Sequence, residues 1–180
     1  RPPEGFAARD IGSMVEVRRV ERFDARTDAL WDANKDQSRL AIVRDARYLN
    51  WRYADAHDAD YELLECVDRG SGALRGIAVV TQRDLVFPRT TFIADWLLPG
   101  ADVEAMTALI AAAEQRADAT SAGALATLFN HLDPRFLGFQ HLGFRVLGTG
   151  YFQVVIPFTI DDTRFYKDHW YHTLGDSDLV

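Results

Sequence analysis

One cysteine, Cys66, is all the thiol this chain carries. A lone thiol cannot close an internal disulfide or build a thiolate metal site by itself, which fits a reducing, cytoplasmic setting. In the stretch YELLECV it reads as a small hydrophobe of a strand. No apolar run approaches the ~20 residues that span a bilayer, and no charged-then-apolar leader opens the chain. Basic excess is missing too. With 27 acidic against 20 basic residues and a formal charge of −7, the sequence supplies no general attraction for nucleic acid or for an anionic membrane surface, and neither is an expected partner. Internal repeats, low-complexity tracts, a Gly-x-Ser-x-Gly elbow and a local Cys/His pairing are likewise absent.

What is present is enough for one core. At 180 residues, 48% hydrophobic and 12% aromatic, the chain can close a single sizeable domain. Residues 1–14, with two prolines and two glycines, read as a lead-in or linker, and 15–180 as the domain. MVEVRRVERF reads as a first strand, and Asp24 caps a polar helix over ARTDALWDANK. DARYLNWRYADA follows as a second helix that places Leu49 and Tyr53 on one face. YELLECVD (61–68) and LRGIAVVTQ (74–82) flank the turn signal RGSG and form a hairpin. A buried strand at 90–98 leads into a helix from Val103 to about Ala117, capped by Asp102, with Val103, Met106, Ile110 and Ala113 on one stripe. GALATLFN (123–130) reads as a strand and PRFLGFQHLGF (134–144) as a short helix. RVLG and YFQVVIPF read as closing strands. This order predicts an α/β fold with a mixed sheet flanked by helices.

That order resembles the GNAT fold of acyl-CoA-dependent N-acyltransferases, with its bent central sheet. FQHLGFRV (139–146) is similar to the family's Y-x-x-x-G-F segment, with Leu142, Gly143 and Phe144 in register. RDARYLNWRY (44–53) and WYHTLGDSDLV (170–180) resemble signatures of a bacterial subgroup linked to surface-polysaccharide or glycan modification. The resemblance implies acetyl-CoA as cofactor, an acceptor such as a small molecule or glycan, and strand 90–98 at the centre of the sheet.

The departures bear on the cofactor. The family's pyrophosphate loop, R/Q-x-x-G-x-G/A after a proline, aligns its proline with Pro99. Its basic residue then falls on Asp102 and its glycines near Val103 and Ala105. A phosphate cradle needs bare amides and a helix start free of negative charge; here Asp102 and Glu104 stand in the way. The family's thiolate-protonating tyrosine aligns with Phe139, which has no proton to give. The family's CoA-contacting asparagine aligns with Leu132, with Asn130 beside it. Leu98, Gly100 and Asn130 are the positions left for cofactor contact.

Asp95 lies where a GNAT general base is found; its alternative role is an ion pair with Arg89 or an arginine of the second helix. Arg47, Trp51, Arg52, Tyr53, Trp170 and Tyr171 offer the arginine forks and aromatic faces that suit a sugar or acidic acceptor, although such aromatics also anchor helices on sheets. His169 and His172 with Asp168, Asp176 and Asp178 have metal-like spacing, but Gly175 and Ser177 interrupt the set and no metal is expected. Trp170 and Tyr171 are expected to pack on the domain while the last few residues fray. The chain opens on Arg1, which fits an excised C-terminal domain partnered by an N-terminal GNAT domain or by a second copy. The resulting expectation is the CoA-poor half of a tandem N-acetyltransferase acting on an amino sugar or other glycan intermediate. Its rivals are a self-sufficient acetyl-CoA enzyme and a non-catalytic binding or scaffolding module.

Overall fold

The computed structural model describes residues 14–37, 40–57, 60–85, 87–100, 102–148, 158, 162–177 and 179–180. Strands β1 (Val15–Val20), β3 (Tyr61–Asp68), β4 (Leu74–Leu85), β5 (Phe87–Leu97) and β6 (Ala124–Thr127) form one sheet in the order β1-β3-β4-β5-β6. Pairing is antiparallel up to β5 and parallel between β5 and β6. The strand expected at the centre is therefore interior, and the mixed sheet is as expected. The β3–β4 turn closes as the sequence indicates: Asp68 accepts from the amides of Gly70 and Ser71, and Gly72 takes the left-handed φ of 73° that suits glycine.

Alternation along the strands sorts the core into two faces. Leu64, Cys66, Ala78, Val80, Ile93 and Trp96 face helix α3 (Val103–Ala119), which lays Ala105, Met106, Leu109, Ile110 and Ala113 across them. Val103, expected on that stripe, is 64% exposed. The first turn of α3 instead directs Ala105 and Met106 inward, so the buried stripe begins two residues later. Leu63, Ile77, Val79 and Leu97 point the opposite way. They meet Phe23, then Leu30 of helix α1 (Ala25–Asn34), and Ala46 and Leu49 of helix α2 (Ala46–Leu49). α2 runs on as a π turn over Asn50–Ala54 that buries Tyr53. The predicted caps are in place, with Asp24 and Asp102 accepting from the amides of Arg26 and Ala105, and Asp45, not foreseen in the sequence, caps α2 by accepting from that of Tyr48.

A short parallel pair joins β2 (Leu40–Ala41) to β7 (Trp170–Tyr171), which follows helix α5 (Thr163–His169). Beyond β7 the tail packs Leu174 and Val180 on Phe92 and Ala94 of β5. The expectation that the final residues fray is thereby corrected. Val180 is buried and its carbonyl accepts from the Arg52 guanidinium.

Helix α4 (Phe136–His141) explains the FQHLGF segment. The Phe144 amide reaches the Phe139 carbonyl and the Gly143 amide that of Gln140, with Gly143 at φ 99°. This is the glycine-terminated helix stop in which the first and last apolar residues touch, and the Phe139 and Phe144 rings are 5.1 Å apart. RVLG (145–148), expected as a strand, has no regular structure, and the YFQVVIPF reading falls on residues outside the described ones except for Phe158. Among the described residues, no helix is long and apolar enough to cross a membrane.

Candidate functional site

β5 carries the candidate base on an irregularity. Asp95 pairs with Val79 and Ile93 with Val80, so Ala94 is one residue extra and the strand bulges there. Ala94 and Asp95 thus both turn to the side of α2 and the tail. Asp95 is 1% exposed and its oxygens are all engaged. Oδ1 accepts from Arg44 Nε (2.8 Å), Thr173 Oγ1 (3.0 Å) and its neighbour's amide at Trp96 (2.8 Å), and Oδ2 from the Tyr53 hydroxyl (2.9 Å).

Arg44 is the hub of this cluster. Wholly buried, it spreads its guanidinium over Asp95, both oxygens of Asp176 (2.9 and 2.7 Å), Thr173 Oγ1 and the Ile42 carbonyl. Burial works against its charge, but Asp95 and Asp176 outweigh burial and hold its pKa above the ordinary value. Burial pushes the Asp176 carboxyl up, with Arg44 opposing. Burial, then Asp95, pushes the Tyr53 hydroxyl well above its usual range. Thr173 and Asp176 form a capping box around the last turn, Leu174–Asp176. The two signature stretches, 44–53 and 170–180, are therefore two halves of one buried brace. Arg52 repeats the pattern, donating to the carbonyls of Ser177 and Val180.

The partner of Asp95 is thus Arg44 of the signature segment. Arg89 lies at the far end of β5, exposed, with its amide on Asp84. Tyr53 and Tyr171 are interior and their hydroxyls are spent, the latter on the Trp96 carbonyl. Arg47 and Trp51 do face solvent; Trp51 is 66% exposed, with its ring 5.9 Å from that of Tyr48. Trp170 is half-buried against His172. Among the described residues no His, Cys, Asp or Glu cluster could hold a metal.

The positions expected from the sequence to contact a cofactor are bonded within the chain. β5 and β6 pair only from Thr90–Ile93 to Ala124–Thr127 and then part. In the gap, Tyr171 takes the Trp96 carbonyl and Arg135 Nη1 takes that of Leu98 at 2.5 Å. Asn130 Nδ2 ties to the carbonyls of Lys167 (2.7 Å) and Trp170 (3.2 Å), and Phe129 bridges to Thr173. The Arg135 guanidinium also lies 4.5 Å from the Trp96 ring centre and 5.2 Å from that of Tyr171. The space left beside Trp31, Lys35, Leu98, Arg135 and Tyr171 is about 20 Å³, room for one water.

The start of α3 is closed in the same manner. Arg75 of β4 forks onto Asp102 (2.7 and 2.8 Å) and onto Glu104 (2.7 Å). Asp102 Oδ1 takes the Ala105 amide, Pro99 O the Asp102 amide, and Gln37 Oε1 the Gly100 amide. Phe139, at the position of the family's tyrosine, is buried against Trp96 and Phe129. Sequence reasoning missed Arg75, Arg135 and Thr173. The T-x-x-D spacing of Thr173 and Asp176 was a readable signal for the last of these, and nothing local marks the other two.

Gly175 offers a direct check of the brace, because a Cβ there would collide with the Tyr53 hydroxyl and sit 3.2 Å from the Ala94 carbonyl. Tyr53 cannot yield without leaving Asp95. Gly175→Ala is expected to lower the melting temperature by several degrees, an overpacking cost of about 1–3 kcal/mol; a variant that melts with the parent would show the tail to be loosely held.

No protein-family model matches the chain and no curated protein sequence matches it. Solved structures do match. A Pyrococcus furiosus protein assigned as an acetyl transferase aligns with a TM-score of 0.57 at 11% identity, over 78% of this chain and 99% of its own. The aminoglycoside acetyltransferase AAC(6')-Iy, in complex with the bisubstrate analog CoA-S-monomethyl-acetylneamine, gives 0.55 at 18% identity, over 81% and 100%. An aminoglycoside acetyltransferase from an uncultured soil metagenomic sample, in complex with sisomicin, gives 0.55 at 12% identity, over 81% and 100%. What is shared at these identities is the fold. The chain has the fold of the GNAT acetyltransferases.

Proposed function

We propose that this is a GNAT-fold domain that does not bind acyl-CoA on its own, the CoA-poor half of a tandem N-acetyltransferase whose acceptor is an amino sugar or another glycan intermediate. The observation that carries this reading is the double closure just described. CoA needs two things from a protein, a place for its pyrophosphate and a slot for its linear, amide-bearing arm. At the helix start, Arg75 is saturated by Asp102 and Glu104, and the amides of Gly100, Asp102 and Ala105 are already bonded. Between the parting strands, the Trp96 and Leu98 carbonyls that such an arm would use are held by Tyr171 and Arg135. Each charge-assisted bond forgone is worth about 1.5–3 kcal/mol, so two cost on the order of a hundredfold or more in affinity. Asp95 is 1% exposed and bonded through both oxygens to Arg44, Thr173, Trp96 and Tyr53, so an incoming amine would have no route to it.

The acceptor side of the proposal rests on the exposed Trp51, with Tyr48 beside it and Arg47 nearby on α2, a surface of the kind on which sugar rings stack. Acetyltransferases of this fold bound to sisomicin and to an acetylneamine analog lend support to the amino-sugar class. A catalytic GNAT domain in the same protein would supply acetyl-CoA.

Calorimetry with acetyl-CoA at low salt, where electrostatic help is greatest, is expected to show no binding. Micromolar affinity there would overturn the reading and favour the self-sufficient enzyme. Asp102→Arg with Val103→Gly and Ala105→Gly is expected to stay silent as well, because it opens the helix start and leaves the gap beside β5 filled. The acceptor is tested separately by glucosamine, which should quench tryptophan fluorescence in the parent and not in Trp51→Ala.

A further inference from the structure

At the end of the sheet opposite the brace lies an open cleft of about 390 Å³ whose lining residues are all polar or charged. Three elements deliver an arginine to it: Arg83 from the end of β4, Arg89 from the start of β5, and Arg116 from the last turns of α3. Arg89 and Asp95 are six residues apart on one strand, about 20 Å, so this cleft is separate from the closed cofactor positions.

Among the described residues most arginines pair with a carboxylate; Arg47 and Arg52 do not, and two further ones without such a pair meet at this cleft. Arg18, Arg22, Arg26, Arg44, Arg75 and Arg135 each close on a carboxylate. Among the described residues neither Arg83 nor Arg89 does. Arg83 has one bond, to the Gln82 carbonyl at 3.2 Å, and rests over the Tyr61 ring. Arg89 is left with no ion pair in a chain where acids outnumber bases. The two carboxylates at the cleft pair with neither the Arg83 nor the Arg89 guanidinium. Asp84 accepts from the Arg89 amide at 2.7 Å, and Asp60 with Glu62 holds the two terminal nitrogens of Arg116. Arg116 Nε is buried with no partner at all.

The walls are held in place. Arg89 adopts a left-handed φ of 49°, a conformation arginine rarely takes, and Ser121 across from it is at 51°. The Gly123 amide bonds to the Arg89 carbonyl and ties the two together. The carbonyls at the end of α3 would repel an anion if left free, but those of Arg116, Ala117 and Asp118 accept from Thr120, Ala122 and Ser121.

We propose that this cleft binds a small hydroxylated oxyanion, a sugar bearing a phosphate or carboxylate, with Arg83 and Arg89 holding the anion while Gln82 and the exposed carboxylate of Asp60 meet its hydroxyls. Unpaired guanidinium forks match the oxyanion, and the amide and carboxylate side chains of the lining match the ring hydroxyls. The proposal does not depend on the fate of CoA in the fold.

Amide NMR titrations with glucose 1-phosphate, glucuronate and glucose test it. The expected result is millimolar binding of one or both anions, with shifts at residues 82–84, 89 and 116–120, and no response to glucose. A response to glucose 1-phosphate alone assigns the phosphate, and to glucuronate alone the carboxylate. Arg83→Gln with Arg89→Gln should weaken binding at least tenfold. Arg83→Gln with Arg89→Gly, where glycine suits the left-handed backbone, should do the same without loss of fold. Silence from both anions, an equal response to glucose, or undiminished binding in the double variants would overturn the proposal.

Discussion

Arg44→Ala is expected to remove much of the stability of this domain. Asp95 and Asp176 are both interior and both rely on the one guanidinium, whose three nitrogens also reach Thr173 and Ile42. Breaking a buried ion pair by deleting one partner costs about 3–5 kcal/mol because a charge is left without compensation. Here two carboxylates are stranded. Whole domains have about 5–15 kcal/mol to lose, and each kcal/mol moves the midpoint of a chain this size by about 2–4 °C. A drop of about 10 °C or more in melting temperature is the expected result, measured by calorimetry or by circular dichroism. Arg44→Lys should rescue little, since an ammonium cannot span Asp95 and Asp176 in one plane. Arg44→Met combined with Asp95→Asn and Asp176→Asn should recover part of the loss, because no net charge then stays buried. If Arg44→Ala melts within a degree or two of the parent, the cluster is open to water and Asp95 returns as a candidate base.

The parts of this structure legible in the sequence were those written in local chemistry. Caps at Asp24 and Asp102, the Asp68–Gly72 turn and the alternation of β3 and β4 each announce themselves within a few residues. The departures at Asp102 and Phe139 were equally plain, because an acid and a ring without a hydroxyl are chemical facts independent of fold. Partnership across distance was not legible. Arg44 and Asp176 lie 132 residues apart, and Arg75 and Asp102 lie 27 apart. No spacing rule links them. Nor does an aromatic-rich segment state which rings face in. Tyr53 and Trp51 sit two residues apart in one signature, one interior and the other in solvent, on opposite sides of the helix that runs on through the π turn over Asn50–Ala54.

Deleting residues 169–180 is expected to be as damaging as losing Arg44, and for a reason that bears on function. Tyr171, Leu174 and Val180 would leave the core, at about 1.5–3 kcal/mol for each large apolar side chain exposed. Trp96 and Asn130 would lose their partners at the gap beside β5, and Asp95 would lose Thr173. The sum is on the order of the whole stability of such a domain, so the truncated chain should be largely unfolded at ambient temperature, with lost near-ultraviolet dichroism and fast amide exchange in β5 and β6. At that gap the parallel strands β5 and β6 part, so the end of β5 has no strand partner on that side. A bound ligand or the chain's own residues must satisfy its backbone groups there, since interior carbonyls and amides are rarely left bare. This protein uses Tyr171 on the Trp96 carbonyl and Arg135 on that of Leu98. A truncated chain that folds as well as the parent would mean that the gap tolerates being empty, and the tail would then be an occupant that leaves the fold intact when it departs. A truncated chain that is unfolded in buffer and regains its melting transition with acetyl-CoA would go further, by showing that the tail and the cofactor compete for one place.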